Sequence, residues 1–275
     1  MKKLNWLALL LALLMAAAVL AGCGQKEQPK KEDQAAGQKS YMDTIKARGF
    51  LIAGVKNDVP LFGQLKPGAT EPEGFEVDLM KELAVKIFGD PSKIKLEKVE
   101  SKTRIPMVQN GQVDIVAGTT TVTDERKQQV DFSDVYFKAG QSLLVKKDGP
   151  IKSIEDLKGK KVSTAQGSTS VKNIRAKAPD AEILEFTTYT ECFLALKQGR
   201  VDAMTTDNSI LLGFAKDDPN YVLTGGLFSD EPYGLVMQKG HPEWVQFVND
   251  WLKEIQKNGK FAEIYKKWFG EAPPA

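Results

Sequence analysis

The segment from Ala117 to Phe132, AGTTTVTDERKQQVDF, concentrates groups that can hold an anion. Four threonines fall within residues 119–123, directly after a predicted apolar strand, and Arg126 follows within the first turns of a predicted helix. A helix N-terminus presents unpaired N–H groups to an anion, and an arginine adds a bidentate clamp for a carboxylate. The segment therefore predicts a carboxylate site formed by Thr119, Thr121 and Arg126. The alternative is that the threonines cap the helix and Arg126 faces solvent.

A second predicted helix start also carries hydroxyl groups. The apolar strand KKVSTAQ leads to Gly167, and Ser168 and Thr169 open the next helix. A helix start of this kind offers N–H groups to the same anion when it faces the first one. Placed opposite each other, the two helix starts favour a ligand site over simple capping.

Three charged residues follow or flank the other predicted strands. Asp207 ends the strand VDAMTTD and suits an ammonium group, or alternatively caps the helix that begins at Asn208. Lys56 follows the strand FLIAGV, and Arg104 begins the helix between the next two strands. A zwitterion with a neutral side chain does not need these two cations, whereas a second ligand carboxylate does. They therefore predict an acidic amino acid as the ligand; for each cation the alternative is exposed surface charge.

Short apolar strands alternate with amphipathic helices in two sets, one before and one after Gly149. This alternation predicts an α/β fold in which helices flank largely parallel sheets. A local similarity between VQNGQVDIVAGT (108–119) and LKQGRVDAMTTD (196–207) supports two similar lobes, although two independent helix–Gly–strand turns would look the same. Ligands of open α/β sheets bind beyond the carboxyl ends of the strands, so two facing lobes would form a cleft there.

Two extended apolar runs that end in lysine bracket the second set, GQSLLVKK (140–147) and YGLVMQKG (233–240). If both runs cross between the lobes, lobe 1 comprises residues 41–145 plus 236–275, and lobe 2 comprises residues 146–235. The C-terminal segment WVQFVNDWLKEIQKNGKFAEIYKKWF has helical spacing of its large apolar residues. We expect this segment to pack on lobe 1 as part of the core.

The first 22 residues have the layout of a secretory signal, with two lysines, an apolar run and small residues before Cys23. The ending LAGC resembles the lipobox of bacterial lipoproteins, in which the signal is cut before a cysteine that carries lipid. Cys23 is therefore the expected lipidation site; the alternative is an uncleaved anchor with an incidental cysteine. Residues 23–40 contain no large apolar side chain and predict a flexible tether.

The composition excludes several other classes of function. The 38 basic side chains include two lysines of the signal, which leaves 36 basic against 36 acidic ones. This balance argues against a nucleic-acid partner. Because His241 is the single histidine and Cys192 the single further cysteine, we expect no metal site, no cofactor, no Ser-His-Asp triad and no internal disulfide.

The chain from about Tyr41 to Gly270 resembles the polar-amino-acid solute-binding proteins, family 3, of ABC importers. The motifs that carry the resemblance stand in the family's order: GVKNDVPLFG, GFEVDLMKELA, SKTRIPMVQNGQVDIVAGTTTVTDERKQQVDFSDVYF, GQSLLVKK, VSTAQGSTS, GRVDAMTTDNSILLG and EPYGLVMQKG. The resemblance implies a two-lobed periplasmic-binding-protein-like fold of type II, with two crossover strands and closure on one amino acid.

The resemblance also implies roles for individual residues. The positions that hold the ligand's α-carboxylate fall on Thr119, Thr121, Arg126, Ser168 and Thr169, and the position that holds its α-ammonium group falls on Asp207. Lys56 and Arg104 look like the acidic-amino-acid branch, in which their equivalents face the side-chain carboxylate. Tyr233 lies near a crossover and would also line the pocket.

The function implied is that of a receptor, not an enzyme, which hands glutamate or aspartate to the permease subunits of an ABC transporter. It would act as a monomer, lipid-anchored at the outer face of the cell membrane, or on the periplasmic side where an outer membrane is present. Glutamine-binding members share much of the framework, so a glutamine receptor is the main alternative. An arogenate or prephenate dehydratase on the same fold and a signalling sensor are further alternatives; the dehydratase would need a general acid over its substrate.

Overall fold

The computed structural model describes residues 39–274. The predicted signal at residues 1–22, the lipidation site Cys23 and the tether up to residue 38 lie outside the described residues. Signal cleavage and lipidation of Cys23 are therefore predicted from the sequence alone.

Helices account for much of the described chain. Nine α-helices occur within residues 39–274, together with a 3₁₀ turn at Glu155–Leu157: α1 (Tyr41–Arg48), α2 (Phe75–Phe88), α3 (Arg104–Gln109), α4 (Asp124–Lys127), α5 (Thr169–Lys177), α6 (Tyr189–Lys197), α7 (Asn208–Asp217), α8 (Pro242–Lys257) and α9 (Lys260–Phe269). Within that part of the chain, none of them combines the length and apolar character needed to cross a membrane.

The strands are short and are interleaved with these helices. In chain order they are β1 (Leu51–Val55), β2 (Asp58–Val59), β3 (Gly63–Gln64), β4 (Ile94–Lys98), β5 (Ile115–Ala117), β6 (Asp131–Phe132), β7 (Phe137–Ala139), β8 (Gln141–Lys146), β9 (Lys161–Ala165), β10 (Glu182–Phe186), β11 (Ala203–Asp207), β12 (Tyr221–Thr224), β13 (Glu231–Tyr233) and β14 (Val236–Met237).

Lobe 1 is built on a five-stranded sheet in the order β4-β1-β5-β14-β6. Strand β1 runs parallel to both β4 and β5, while β14 returns antiparallel to β5 and β6. The apolar face of α2 packs on this sheet and against α9 through buried residues that include Leu79 and Leu83. The carboxyl ends of β1 and β5 therefore meet at one edge, where Lys56 and the threonine cluster follow.

Lobe 2 repeats this plan with the strand order β10-β9-β11-β8-β12. Strand β9 runs parallel to β10 and β11, and β8 lies antiparallel to β11 and β12. The parallel strands again present their carboxyl ends at one edge. There β9 leads into α5, and β11 ends at Asp207. Both sheets thus have the α/β character that the sequence predicts.

The crossover differs from the predicted lobe boundary. Residues 141–146 form an internal strand of the second sheet, whereas the sequence prediction ended lobe 1 at residue 145. Strands β7 and β13 instead form a separate antiparallel pair between the two sheets. The run 140–147 is apolar because its strand is buried inside lobe 2, and apolarity alone does not reveal which sheet a strand joins.

The C-terminal helices complete lobe 1, as their spacing predicts. Helix α8 packs against α1 and α9, and its Trp244 and Trp251 are almost completely buried. Helix α9 contributes to an aromatic cluster in which Phe62 and Phe75 meet edge to face at 6.1 Å. This cluster extends to Phe137 of β7, so the crossover pair rests on a packed core.

Candidate ligand-binding site

The strand ends of the two lobes face each other across a closed cleft. Seven of the nine predicted site residues are buried and two, Ser168 and Thr169, are partly buried; the buried ones are Lys56, Arg104, Thr119, Thr121, Arg126, Asp207 and Tyr233. Contacts between side chains and backbone groups that follow different strands, such as Thr121 with Thr169, bring several of these residues together. Exposed surface charge, the alternative for Lys56 and Arg104, does not describe them.

The guanidinium of Arg126 bridges the two lobes. Its Nη1 donates to the carbonyl of Thr121 at 2.8 Å, and its Nη2 donates to the carbonyl of Gly167 at 3.1 Å. Beside it, the hydroxyls of Thr121 and Thr169 approach to 3.5 Å across the cleft. The helix-capping alternative applies to Thr123, whose hydroxyl accepts from the Arg126 N–H at 3.2 Å, while the Arg126 side chain turns into the cleft.

The electrostatics of this corner favour an anion. Burial lowers the pKa of Arg126 to about 10, and the nearby charge of Arg104 acts in the same direction. A buried cation whose pKa is lowered in this way gains from a carboxylate partner, because the pair restores the favourable solvation that burial removes. The start of α5 lies opposite, so a carboxylate here would contact both lobes.

Thr119 has an unusual backbone conformation, with φ at 49° in the left-handed region. Arg104 Nη1 donates to the carbonyls of Gly118 at 2.6 Å and Thr119 at 3.1 Å, which fixes the loop from below. Arg104 Nε and Thr119 Oγ1 are buried and have no hydrogen-bond partner among the described residues. Buried polar atoms normally find a partner, and polar atoms of a ligand would satisfy these two.

Asp207 closes the opposite wall. The hydroxyl of Tyr233 donates to its Oδ2 at 2.5 Å, while Oδ1 is buried without a partner within the described chain. Burial raises the pKa of Asp207 to about 7 with a further rise from Glu231, and the Tyr233 hydrogen bond, Arg104 and Arg126 oppose this shift. The carboxylate makes no capping bond to α7, so the capping alternative does not account for its position. An ammonium group would satisfy Oδ1 and favour the ionised form.

Lys56 already has an acidic partner inside the chain. Its Nζ lies 3.4 Å from Asp58 Oδ1 and 3.4 Å from Ser101 Oγ, and 5.1 Å from the centre of the Tyr189 ring. Burial lowers the pKa of Lys56, and the charge of Asp58 opposes this shift. Asp58 also accepts from the Tyr189 N–H at 2.7 Å, which links lobe 1 to the start of α6.

A second carboxylate, that of Glu76, interacts electrostatically with Arg104. Glu76 is fully buried in the first turn of α2, and its Oε1 accepts from the Thr119 N–H at 2.7 Å and from the Tyr136 hydroxyl. Burial raises the pKa of Glu76 to about 7, opposed in turn by the Tyr136 and Thr119 hydrogen bonds and by the charges of Arg104 and Lys56. The two surplus cations therefore lie near two carboxylates of the chain.

The hydroxyls at the start of α5 donate hydrogen bonds to other groups of the chain. Ser168 Oγ donates to the Ala165 carbonyl at 2.7 Å, and Thr169 Oγ1 donates to Glu231 Oε2 at 2.7 Å. Glu231 also accepts from Asn173 at 2.7 Å, so this crossover residue ties β13 to α5. The backbone N–H groups at the helix start, and not the Ser168 hydroxyl, are thus the groups most available to an anion.

Sequence reasoning missed five residues that shape the cleft, namely Asp58, Glu76, Ser101, Tyr189 and Glu231. Two of them carried a usable signal, because Asp58 follows Lys56 by two positions and Glu231 precedes Tyr233 by two in a strand. Residues two apart in an extended chain point to the same side. Within residues 39–274, no group of three or more His, Cys, Asp or Glu side chains is arranged to hold a metal ion.

Comparison with known proteins assigns the class. Residues 51–271 match the bacterial extracellular solute-binding proteins, family 3. The chain is 50% identical over 274 residues to the ABC transporter glutamine-binding protein GlnH of Bacillus subtilis, covering 99% of each chain. It is 52% identical over 237 residues to a glutamine-binding protein of Geobacillus stearothermophilus, covering 84% of this chain and 90% of the relative.

A solved structure described as an ancestral arginine-binding protein bound to glutamine has the same fold. It superposes with a TM-score of 0.76 at 42% identity and covers 82% of this chain and 99% of its own. The chain belongs to the bacterial extracellular solute-binding proteins, family 3, and its two α/β lobes that close on a polar cleft agree with this class. It is accordingly an extracellular solute-binding protein.

Proposed function

We propose that this receptor binds glutamine and delivers it to the permease of an ABC importer. The observation that carries the proposal is the pairing of Lys56 with Asp58 at 3.4 Å beneath the cleft. The sequence-based expectation of glutamate or aspartate depended on Lys56 and Arg104 needing a ligand carboxylate. That need is reduced where the chain supplies the carboxylates itself.

The charges of the cleft suit a zwitterion with a neutral side chain. Arg126 and the start of α5 would hold the α-carboxylate, and Asp207 would hold the α-ammonium group. Asp58 and Glu76 offset Lys56 and Arg104, so a side-chain carboxylate would add an uncompensated charge in a buried site. The similarity to two relatives described as glutamine-binding proteins supports the same choice.

Closure would follow from contacts that one ligand makes to both lobes. Arg126 already reaches the Gly167 carbonyl of lobe 2 at 3.1 Å, and a bound α-carboxylate would strengthen this bridge. The short pair β7 and β13 is the natural hinge, because it lies between the two sheets and belongs to neither.

Cleavage before Cys23 and its lipidation would anchor the receptor by a short tether at the outer face of the membrane, next to its permease. We propose a monomer, in which the closed two-lobed surface is what the permease contacts.

The test is calorimetric titration of refolded, ligand-stripped residues 24–275 with glutamine, glutamate, aspartate and arginine. Glutamine is expected to bind most tightly, whereas preferred binding of glutamate or aspartate would refute the assignment and restore the acidic ligand. No binding of any of the four would reopen the sensor and dehydratase alternatives; incubation with prephenate or arogenate tests the latter and is expected to give no turnover.

Asp58→Asn makes the test specific to the proposed mechanism. The asparagine oxygen can still accept from the Tyr189 N–H, but the charge that offsets Lys56 is lost. Affinity for glutamate should rise by about tenfold relative to glutamine, which corresponds to about 1.4 kcal/mol. Asp148→Asn, at an exposed turn, removes the same charge away from the cleft and should leave the ratio unchanged.

A further inference from the structure

We propose that Glu76 sets the charge preference of the cleft, so that its protonation moves selectivity from glutamine towards glutamate. This inference rests on the proposed glutamine-binding function. Glu76 is not one of the nine residues predicted to contact the ligand. It would act through Thr119 and Arg104 as a positioning residue.

The geometry ties Glu76 to the ligand-facing loop at two points. Its Oε1 accepts from the Thr119 N–H at 2.7 Å, while Arg104 binds the carbonyl of the same residue at 3.1 Å. Glu76 thus binds the N–H of Thr119 and Arg104 binds its carbonyl, and the backbone of Thr119 between them is strained, with φ at 49°. Glu76 Oε2 and Arg104 Nε are both buried without a hydrogen-bond partner in the described chain.

The charge of Glu76 matters because this carboxylate is fully buried and the two charges that act on it, Arg104 and Lys56, are both positive. The charged and titratable groups that face it are Arg104 from α3, Lys56 from the end of β1 and the Tyr136 hydroxyl ahead of β7. When Glu76 is ionised it offsets Arg104, and a neutral ligand side chain completes the balance. When it is protonated Arg104 is left without that carboxylate, and a ligand carboxylate becomes the better partner.

The direction of the pH dependence follows from linkage. Burial raises the pKa of Glu76 to about 7, so ionisation occurs near neutral pH. A glutamate carboxylate nearby would raise this pKa further, and glutamate binding would then take up a proton above pH 7. The ratio of the dissociation constants of glutamate and glutamine should rise about tenfold from pH 6 to pH 8. Titration of Asp207 affects both ligands alike, so the ratio cancels it.

The experiment is calorimetry of glutamine and glutamate binding at pH 6, 7 and 8 for the wild type and Glu76→Gln. Glutamine at this position retains an oxygen that can accept from Thr119 and Tyr136 but carries no charge. The variant should bind glutamine within about threefold of the wild type, and its ratio should be pH-independent and about tenfold lower at pH 8. Titration at pH 8 in buffers of different ionisation enthalpy should show proton uptake with glutamate in the wild type only.

Glu73→Gln is the matched control, because Glu73 lies three residues away with a half-exposed side chain that pairs with Lys66. It should leave the ratio and its pH dependence unchanged. A ratio that stays flat with pH in the wild type, or follows pH equally in Glu76→Gln, overturns the inference, as does a folded Glu76→Gln that no longer binds glutamine. If Glu76→Gln does not fold, the wild-type profile decides alone. Failure of the wild type to bind glutamine at all would instead refute the proposed function.

Discussion

Gly213 offers a direct test of how tightly the two lobes must approach each other. It lies in α7 of lobe 2, and a Cβ at this position would stand 2.8 Å from Pro60 Cβ and 2.9 Å from the Pro60 carbonyl oxygen. Pro60 belongs to the loop between β2 and β3 of lobe 1. Gly213→Ala should therefore oppose closure while leaving each lobe intact.

The magnitude follows from two opposing effects. Overpacking of a tight contact costs about 1–3 kcal/mol, which corresponds to about a 5- to 150-fold loss of glutamine affinity. Replacing glycine by alanine inside a helix gains up to about 1 kcal/mol of helix stability. The ligand-free protein should thus unfold at the same or a slightly higher temperature, so weaker binding cannot be attributed to damage of lobe 2.

Three measurements separate these effects. Calorimetry gives the affinity for glutamine, thermal unfolding without ligand gives the stability, and small-angle X-ray scattering with saturating ligand gives the compactness of the bound form. Lys216→Ala is the control, because Lys216 lies on the same helix and is exposed. It should bind like the wild type. Wild-type affinity and a fully compact ligand-bound form of Gly213→Ala would show that the lobes close without this contact, and would refute the reasoning.

Two further predictions concern the ends of the ligand. Arg126→Ala should weaken the binding of glutamine, glutamate and aspartate by a similar factor of about 100, as loss of a buried charge-paired group does. The control Lys127→Ala should not weaken it. Calorimetry that shows weaker binding of one ligand alone would contradict the α-carboxylate role. Burial raises the pKa of Asp207 to about 7 in the ligand-free protein, well above its unfolded value, so the folded state holds an extra proton between about pH 4 and pH 7. Ligand-free stability should fall as pH rises through that window, while glutamine affinity should rise because the ammonium group needs the ionised form. Scanning fluorimetry from pH 5 to 8 with and without glutamine measures both, and a ligand-free melting temperature that increases with pH would count against the assignment.

Much of the fold could be predicted from local patterns. The helical spacing of α2, α8 and α9 and the apolar strands β1, β5 and β9 lie where the sequence indicates them. Parallel strands bring their carboxyl ends to one edge, and this rule places the residues that follow β1, β5, β9 and β11 along the cleft, whereas Tyr233 was predicted only from the family resemblance. Such rules succeed because they depend on neighbours in sequence and on the geometry of one sheet.

The features that escaped prediction depend on contacts between distant segments. The hinge strands β7 and β13 have three residues each and pair across more than ninety positions of the chain, so no local pattern marks them. Glu76 reads as the polar side of an amphipathic helix, and its role appears only when Thr119, 43 positions later, is placed over it. The partner of Lys56 was closer, two positions away, yet a sequence cannot show whether two neighbouring charges are buried together.

The charge of the preferred ligand depends on contacts between side chains that a local sequence pattern does not reveal. Counting the cations of the cleft from the sequence gives Lys56, Arg104 and Arg126, and that count favours an acidic ligand. The structure adds Asp58 beside Lys56 and Glu76 beside Arg104, and these two carboxylates are the reason that we propose a ligand with a neutral side chain. In a buried site the charge of the ligand is set by the difference between the cations and the anions around it, because each uncompensated charge is costly there. On the proposed function, selectivity therefore depends as much on the carboxylates beneath the cleft as on the groups that face the ligand, and protonation of Glu76 is expected to alter it.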